Sequence, residues 1–261
     1  MNVKPKKYLG QHFLKDENIA RKIIDAFGQT ITNRERSFVL EVGFGTGVIT
    51  KYLLDQYENF AAIDVDKESA GWMISNYPGH IEKFILGDFL ETELTLFIKN
   101  PNQLLYLIGN LPYNISGPVF FKVLDNYPLI EGCVFMVQKE VADRVCSKPG
   151  SKTYGILSVL LQSYYETENL FTVQPGAFVP PPKVKSAVIR LKKKKEMPSV
   201  ELHKWKLLIK TAFNQRRKQL SNSLAKLLQG KKLPEIFANQ RPEQLSIKEF
   251  IQIYQYIYGE S

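Results

Sequence analysis

The sequence predicts an α/β domain built on a parallel sheet, followed by a small all-helical domain. In residues 1–195, short apolar runs that end in polar residues alternate with helical patterns, which is typical of parallel strands with covered faces. After Pro198 the apolar spacing is helical throughout. A chain of 261 residues is long enough to bury both cores. The predicted domains are therefore residues 1–195 and residues 196–261.

Local signals predict the individual elements along the chain. Asp16 is a suitable N-cap, and Gly28 a suitable stop, for a first amphipathic helix. Apolar periodicity predicts one long helix over residues 202–228. Ser246 and Glu249 form a capping-box pattern at the start of a last helix. Six short apolar runs bounded by turn residues are predicted strands, at residues 38–42, 60–63, 83–86, 104–108, 132–138 and 187–191.

Charge is distributed unevenly along the chain. Residues 1–190 contain 20 Lys and Arg against 20 Asp and Glu, whereas residues 191–261 contain 15 against 6. The formal net charge of +9 therefore comes from the C-terminal region. Such a basic region attracts polyanions, of which phosphate backbones are the commonest. For the lysine run at 192–195 taken alone, a solvated surface is the alternative interpretation.

Several functional classes are disfavoured by the composition. The three His are scattered and the two Cys form no CxxC pair, so we expect no metal site. Cys133 lies in an apolar run and is expected to be a buried thiol. No apolar run approaches the roughly 18 residues of a membrane helix, and no signal-peptide core follows the basic N-terminus. We therefore expect a cytoplasmic protein with no membrane partner.

A glycine loop follows the first predicted strand. Gly43, Gly45 and Gly47 form G-x-G-x-G, which is one residue short of the dinucleotide fingerprint G-x-G-x-x-G and argues against NAD. Asp64 and Asp88 end the next two strands, where the first can accept hydrogen bonds from ribose hydroxyls and the second from an adenine amine. S-adenosylmethionine fits this pattern, since it carries adenosine and no phosphate. A plain strand-to-helix turn is the alternative for the glycines.

The Asn-Leu-Pro-Tyr segment at residues 110–113 ends the fourth predicted strand. The Asn110 side-chain oxygen and the Leu111 carbonyl can accept both N–H bonds of an exocyclic amine and localise its lone pair for attack on a sulfonium methyl. Pro112 fixes the chain direction, and the Tyr113 ring can stack on the base. These residues predict a methyltransferase that acts on an amino nitrogen of a nucleobase. An ordinary turn is the alternative.

Seven motifs spread along the chain carry a family resemblance. They lie at residues 10–14 (GQHFL), 41–43 (EVG), 110–116 (NLPYNIS), 138–141 (QKEV), 151–155 (SKTYG), 178–184 (FVPPPKV) and 212–218 (AFNQRRK). On these motifs the chain resembles the KsgA/RsmA family, which dimethylates two adjacent adenosines in a hairpin near the 3′ end of small-subunit ribosomal RNA. The resemblance implies a Rossmann-like, S-adenosylmethionine-dependent enzyme. It also implies 16S ribosomal RNA or an immature small subunit as partner, and a monomer.

The resemblance implies particular site residues as well. It places Phe178 on the target base opposite Tyr113, with a core aromatic as the alternative interpretation. Two implied cofactor residues depart from the family pattern, because His12 stands in place of the usual Asn and Asp64 in place of the usual Glu. Both side chains can still form hydrogen bonds. The implied S-adenosylmethionine contacts are His12, Leu14, Gly43, Gly45, Asp64, Asp88 and Asn110.

Basic residues outside the predicted cofactor site are expected to contact RNA phosphates, which fix register without reading sequence. They are Lys4, Lys6, Lys7, Arg216, Arg217 and Lys218, the last three on the predicted long helix. Three alternatives to the small-subunit enzyme remain open. One is an adenine dimethyltransferase for 23S ribosomal RNA that confers macrolide resistance, and another is a mainly non-catalytic assembly factor for the small subunit. The third is an enzyme that methylates DNA adenine or protein glutamine.

Overall fold

The computed structural model describes residues 3–259. This part of the chain forms two compact units, each with buried apolar side chains of its own. The first unit runs to Ala142 and resumes at Glu166–Lys193, and the second comprises Asp143–Tyr165 and the chain from Lys194 onward.

The position of residues 143–165 differs from the predicted domain division, which placed them in the first domain. The structure assigns them to the helical unit. The physical reason is that their apolar side chains pack there: the Tyr154 ring meets Phe213 edge-on, with 6.2 Å between the ring centroids. Tyr154 is fully buried. The helical unit is therefore assembled from two stretches of chain, and only the second begins near the predicted boundary at residue 196.

A seven-stranded sheet forms the centre of the first unit. Its spatial order is β3-β2-β1-β4-β5-β7-β6, where the strands in chain order are β1 (Ser37–Val42), β2 (Phe60–Asp64), β3 (Phe84–Leu86), β4 (Leu104–Asn110), β5 (Ile130–Gln138), β6 (Tyr165–Val173) and β7 (Ser186–Lys193). Neighbouring strands among β1 to β5 are parallel. The predicted parallel sheet is confirmed for these five strands, whereas β7 runs antiparallel to β5.

The strand order reverses at β1, which lies between β2 and β4. The chain leaves β1 toward β2 and β3 and then returns to the opposite side with β4, so the connections diverge at this point. Ligands of open α/β sheets bind beyond the carboxyl ends of the strands at such a reversal. Here Glu41 on β1 pairs with Ile108 on β4, which brings the segments after Val42 and Gly109 to one edge of the sheet.

The helices of the first unit are α1 (Glu17–Gly28), α2 (Thr50–Gln56), α3 (Lys67–Asn76) and α4 (Ser116–Asp125), and the division between the units falls within α5 (Lys139–Cys146). The predicted N-cap of α1 is confirmed. The Asp16 carboxylate accepts hydrogen bonds from the backbone N–H groups of Asn18 at 2.9 Å and Ile19 at 3.2 Å, which satisfies two of the free donors at the helix start. Ile23 and Phe27 of α1 are fully buried in the core.

The helical unit contains α6 (Ile156–Tyr164), α7 (Leu202–Asn214), α8 (Leu220–Ser223), α9 (Ala225–Leu228), α10 (Glu235–Ala238) and α11 (Ile247–Tyr258). The prediction of one helix over residues 202–228 is wrong, because α7 ends at Asn214. The chain turns where the Lys218 N–H donates to the Gln215 carbonyl at 2.7 Å. The Leu220 N–H then bonds the Gln240 carbonyl at 2.8 Å, so a distant segment replaces the helical partner. The capping box of Ser246 and Glu249 is confirmed at the start of α11.

The remaining sequence predictions concern thiols, membranes and metals. Cys133 is buried with a free thiol, as predicted, and burial raises the pKa of that thiol. Between residues 3 and 259, no helix is both long and apolar enough to cross a membrane. Over the same residues, no three His, Cys, Asp or Glu side chains are grouped so as to hold a metal ion.

Candidate active site

A cavity of about 370 Å³ opens at the carboxyl ends of β1, β2 and β4. Its size lies within the range of pockets that take a cofactor-sized ligand. Short segments from five parts of the first unit line it. The lining includes every predicted cofactor residue and four of the five predicted catalytic residues: His12, Leu14, Gly43, Gly45, Asp64, Asp88, Asn110, Leu111, Pro112 and Tyr113.

The glycine loop forms the floor of the cavity with a backbone that other residues rarely adopt. Gly43 and Gly45 have φ values of 78° and 50°, in the left-handed region that favours glycine. A Cβ on Gly45 would also lie 2.9 Å from the Phe13 ring. The Gly45 N–H donates to Asp64 Oδ2 at 3.0 Å. The loop is therefore fixed against β2, and its lack of side chains leaves room for a ligand.

Asp64 presents a pre-oriented carboxylate at the end of β2. Its Oδ2 accepts from Gly45, and its Oδ1 accepts from the Asp66 N–H at 2.9 Å. Burial raises the pKa of the Asp64 carboxyl, and these backbone hydrogen bonds oppose the rise. Asp88 lies at an exposed position of the cavity wall, where its Oδ1 accepts from the Leu90 N–H at 2.8 Å. Both carboxylates retain lone pairs for a ligand.

Asn110 is oriented by the N-terminal segment. Its Nδ2 donates to the His12 carbonyl at 2.9 Å, so the amide hydrogen bond fixes the side chain and leaves Oδ1 as an acceptor. The next peptide is fixed as well, because the Leu111 N–H donates to the Met136 carbonyl of β5 at 3.0 Å. Two acceptors, the Asn110 Oδ1 and the Leu111 carbonyl, are thus held on adjacent residues of rigid backbone.

Tyr113 is half-buried, and contacts restrain both its hydroxyl and its ring. Its hydroxyl lies 2.7 Å from the Ser186 hydroxyl, and its ring centroid is 5.1 Å from that of His12 at an interplanar angle of 35°. Burial raises the pKa of the Tyr113 hydroxyl, so the ring stays neutral at physiological pH. The His12 Nδ1 lies 2.7 Å from the Pro180 carbonyl. A neutral aromatic surface with a fixed orientation suits stacking on a base.

The electrostatics of the cavity select the charge of its ligand. Three carboxyl groups line it, those of Glu41, Asp64 and Asp88, and its lining contains no Lys or Arg among residues 3–259. Glu41 is 1% exposed, and its Oε2 has no hydrogen-bond partner within the described chain. Burial raises the pKa of Glu41 to about 8. A phosphate would find no counter-charge here, whereas a cationic ligand would.

Phe178 does not line the cavity. It is 1% exposed and belongs to the buried core of the first unit, so the structure supports the core interpretation and not the predicted contact with a base. The reason is local geometry. Leu14 pairs with Phe178 in a short antiparallel ladder, and side chains alternate along extended backbone. The Phe178 ring therefore turns inward, while Val179 is 48% exposed.

Lys6 has a structural partner that the sequence did not reveal. Its ammonium pairs with the Asp66 carboxylate, which also accepts from Gln11 Nε2 at 3.0 Å. Burial acts to raise the pKa of Asp66, but the hydrogen bonds from the Lys6 and Gln11 side chains and from the Glu68 backbone N–H outweigh it and lower the pKa overall. These bonds tie the N-terminal segment beside the cavity. Lys6 therefore has an ion-pair partner within the protein.

Lys4 and Lys7 are exposed in the first unit. The basic cluster of the second unit, which comprises Arg216, Arg217 and Lys218, divides into two roles. Arg216 donates from its guanidinium to the Lys152 carbonyl at 2.7 Å, which joins two stretches of the helical unit. Arg217 and Lys218 are exposed on the turn after α7. Arg216 is therefore a structural residue in this conformation, whereas the other two are accessible.

Sequence reasoning missed four residues that shape the cavity: Glu41, Asp66, Gln11 and Gly109. A carboxylate two residues before a glycine loop, and the spacing of Asp64 and Asp66, are signals that were present in the sequence. Gly109 lies inside a strand, which often marks a close backbone approach. A Cβ there would lie 2.3 Å from the Val42 carbonyl oxygen. Gln11 belongs to the GQHFL motif, but that motif by itself does not indicate its hydrogen bond to Asp66.

The chain is similar to known proteins along nearly its whole length. Residues 2–258 match the family model described as ribosomal RNA adenine dimethylase. The ribosomal RNA small subunit methyltransferase A of Flavobacterium johnsoniae is 48% identical over 261 residues, which is 99% of this chain and 97% of that protein. The protein of the same name from Bacteroides fragilis is 47% identical, covering 96% of this chain and 91% of its own.

Two solved structures share the fold. A dimethyladenosine transferase from Plasmodium falciparum superposes with a TM-score of 0.76 at 24% identity, covering 93% of this chain and 96% of its own. The 23S rRNA methyltransferase ErmE superposes with a TM-score of 0.67 at 24% identity, covering 93% and 99%. At 24% identity, these two similarities show a shared fold and nothing more.

Proposed function

Since this chain belongs to the ribosomal RNA adenine dimethylase family, we propose that it uses S-adenosylmethionine to dimethylate the N6 amines of two adjacent adenosines in the 3′-terminal hairpin of 16S ribosomal RNA. Family membership confirms the resemblance seen in the motifs. One observation carries the proposal: a single cavity contains both a carboxylate-lined wall and the Asn110 oxygen. Among the described residues, no Lys or Arg lines this cavity. A cationic methyl donor and an exocyclic amine can meet there.

The carboxylate-lined wall fits S-adenosylmethionine, which supplies a methyl group on a positively charged sulfur when bound. With the cofactor bound, Asp64 would accept hydrogen bonds from its ribose hydroxyls and Asp88 from its adenine amine. Gly43 and Gly45 admit the ligand close to the backbone. Leu14, which is buried on the cavity wall, contributes apolar contact. His12 supports the site through its carbonyl, which orients Asn110.

The target amine is activated by acceptors that the protein holds in place. An adenine amine is a poor nucleophile because its lone pair is delocalised into the ring. Asn110 Oδ1 and the Leu111 carbonyl accept its two N–H bonds and favour a pyramidal nitrogen, which localises the lone pair. The Tyr113 ring stacks on the base and limits its rotation. The amine would react in its neutral form: its bond to the methyl carbon would form as the methyl–sulfur bond breaks and leaves a neutral thioether, and the nitrogen would then lose its extra proton to solvent.

RNA contacts come from exposed cations on both units. On the first unit, Lys4 and Lys7 lie beside the cavity-lining segment. On the second, Arg217 and Lys218 occupy the exposed turn. Phosphate contacts of this kind set the register of the RNA, so the choice of adenosines comes from RNA shape and the base site. The partner we propose is the immature small subunit, on which the enzyme acts as a monomer.

Salt dependence separates the two roles in the basic cluster. We expect Arg217→Gln and Lys218→Gln each to reduce the slope of log Kd for RNA against log salt concentration by about one. Arg216→Gln should instead lower the unfolding temperature, because it loses the hydrogen bond to the Lys152 carbonyl. Filter binding at several salt concentrations and thermal unfolding measure these effects. An unchanged slope in the Arg217 and Lys218 variants would remove this turn from the RNA interface.

The buried carboxyl of Glu41 predicts a pH dependence. Its pKa in the folded protein is about 8 against an ordinary 4.5, so the folded state keeps a proton that the unfolded chain releases. The free energy of unfolding should therefore fall as the pH rises from 4.5, the ordinary pKa of a glutamate, through about 8. A cationic ligand favours the ionised carboxylate, so cofactor affinity should rise over the same interval.

Glu41→Gln removes the titrating group with little change in shape. We expect flatter profiles of both stability and cofactor affinity, a more stable protein than the parent above pH 8, and weaker cofactor binding there. Denaturant unfolding and calorimetry between pH 5 and pH 9 provide the measurements. Glu58→Gln, at an exposed position, is the matched control. Profiles of the Glu41 variant that run parallel to those of the parent would contradict the assignment.

The proposed reaction is tested directly by nucleoside mass spectrometry. The protein is incubated with labelled S-adenosylmethionine and either 16S RNA, precursor small subunits or 23S RNA. We expect two labelled dimethyladenosines in the 3′-terminal hairpin of the small-subunit RNA. Label in 23S RNA alone would identify the macrolide-resistance activity. Binding of the precursor without label would identify a non-catalytic assembly factor.

A further inference from the structure

A second cavity of about 480 Å³ adjoins the candidate active site. Pro5 and Lys7, Gln138, and the segment from Pro180 to Val184 form the walls that belong to it alone. Its other lining residues also line the first cavity; these are Gly10, Gln11, His12 and Tyr113. Because the two cavities share these residues, they lie side by side at a common wall.

The walls of the second cavity are conformationally restrained. Three consecutive prolines, Pro180 to Pro182, limit backbone freedom on one side. The His12 Nδ1 lies 2.7 Å from the Pro180 carbonyl, and the His12 ring stands 5.1 Å from the Tyr113 ring. The compact apolar pyrrolidine rings and the planar His12 and Tyr113 rings offer surfaces against which the face of a nucleobase can pack.

The charge of the second cavity is opposite to that of the first. Lys7 and Lys183 line it, and no Asp or Glu does so among residues 3–259. Both lysines are exposed, and within the described chain neither forms an ion pair. The first cavity has three carboxyl groups and no Lys or Arg in the same residues. One cavity therefore suits a cation and the other an anion that also carries a flat apolar group.

We infer that the second cavity binds the nucleotide next to the target adenosine in the same RNA strand. This inference rests on the proposed function and adds a subsite to it. The base of the neighbouring nucleotide lies against the prolines and His12, and Lys7 and Lys183 contact its phosphodiesters. Engagement of this nucleotide holds the strand at the shared wall, with the target adenosine directed toward Asn110. His12 and Tyr113 then separate two consecutive bases.

The test compares two double variants with the same loss of charge. Lys7→Gln/Lys183→Gln alters the second cavity, whereas Lys22→Gln/Lys99→Gln alters two exposed lysines that line neither cavity. Methyl transfer from a labelled donor to an RNA hairpin with the target adenosines is followed at several salt concentrations. The same reactions are repeated with hairpins in which neutral methylphosphonates replace the phosphodiesters that flank the target. Cofactor affinity is measured for each variant.

For Lys7→Gln/Lys183→Gln we expect at least a tenfold higher KM for RNA and a salt slope lower by about two, one for each lysine. Its kcat should stay within about threefold of the parent's, and its cofactor affinity should be unchanged. Neutral linkages should raise the KM of the parent and have little further effect on this variant. Equal KM values for RNA in the two double variants would contradict the proposed subsite. So would methylphosphonate linkages that raise the KM of the parent and of Lys7→Gln/Lys183→Gln by the same factor. Failure of the parent to methylate the hairpin or the precursor subunit would refute the proposed function itself.

Discussion

Asn110→Ala should reduce kcat for adenosine methylation by at least about 100-fold, the usual order for loss of one aligned polar group at a reacting centre. The variant loses the oxygen that we assign to the amine. It also loses the donor to the His12 carbonyl, so the N-terminal segment is less firmly held and cofactor affinity should fall several-fold. Single-turnover methylation and calorimetric titration of the cofactor measure the two effects separately.

Asn76→Ala is the matched control for this prediction. The Asn76 Nδ2 likewise donates to a backbone carbonyl, that of Trp72 at 2.8 Å, and Asn76 lines neither cavity. We expect the control to retain the parent's kcat and cofactor affinity. If Asn110→Ala loses only cofactor affinity and keeps kcat at saturating cofactor, Asn110 positions the N-terminal segment and does not activate the amine.

Gly109→Ala should inactivate the enzyme through backbone displacement. A Cβ at Gly109 would lie 2.3 Å from the Val42 carbonyl oxygen, a distance that requires the end of β4 to move away from β1. Asn110 follows Gly109 directly, and Gly43 follows Val42, so the movement separates the two sides of the cavity. Overpacking of this kind costs about 1–3 kcal/mol. Urea unfolding and cofactor titration provide the measurements.

The control for the glycine is Gly71→Ala on α3. No atom outside its own helix lies within 4 Å of a Cβ at that position, and alanine is favoured over glycine inside a helix by roughly 1 kcal/mol. We expect Gly71→Ala to be neutral or stabilising and fully active. A Gly109→Ala variant with the parent's stability and kcat would show that β1 and β4 tolerate a wider separation, and that the cavity does not depend on their close approach.

The positions of the main site residues were predictable because they depend on strand ends. Gly43, Asp64 and Asn110 each follow a buried apolar run, and parallel pairing places the carboxyl ends of those runs at one edge. The pattern is periodic and local, so a sequence reveals it. β6 escaped prediction because its residues are largely polar and only partly buried, as an edge strand allows. The predicted helix over residues 202–228 was wrong because the backbone leaves the helical conformation at Gln215, and the Leu220 N–H then bonds the distant Gln240 carbonyl, which the apolar spacing does not reveal.

The sequence by itself determined the α/β class, the strands that carry the cavity and most of its lining. Only the tertiary structure decided which side chains are held by distant partners and which face the cavity or the core. Lys6 and Asp66 are 60 residues apart, and Arg216 and Lys152 are 64 apart, so no local pattern announces their pairing. Phe178 turns inward because of the strand it pairs with. Strand formation depends on neighbouring residues, whereas the partner of a side chain depends on which distant segments the fold brings together.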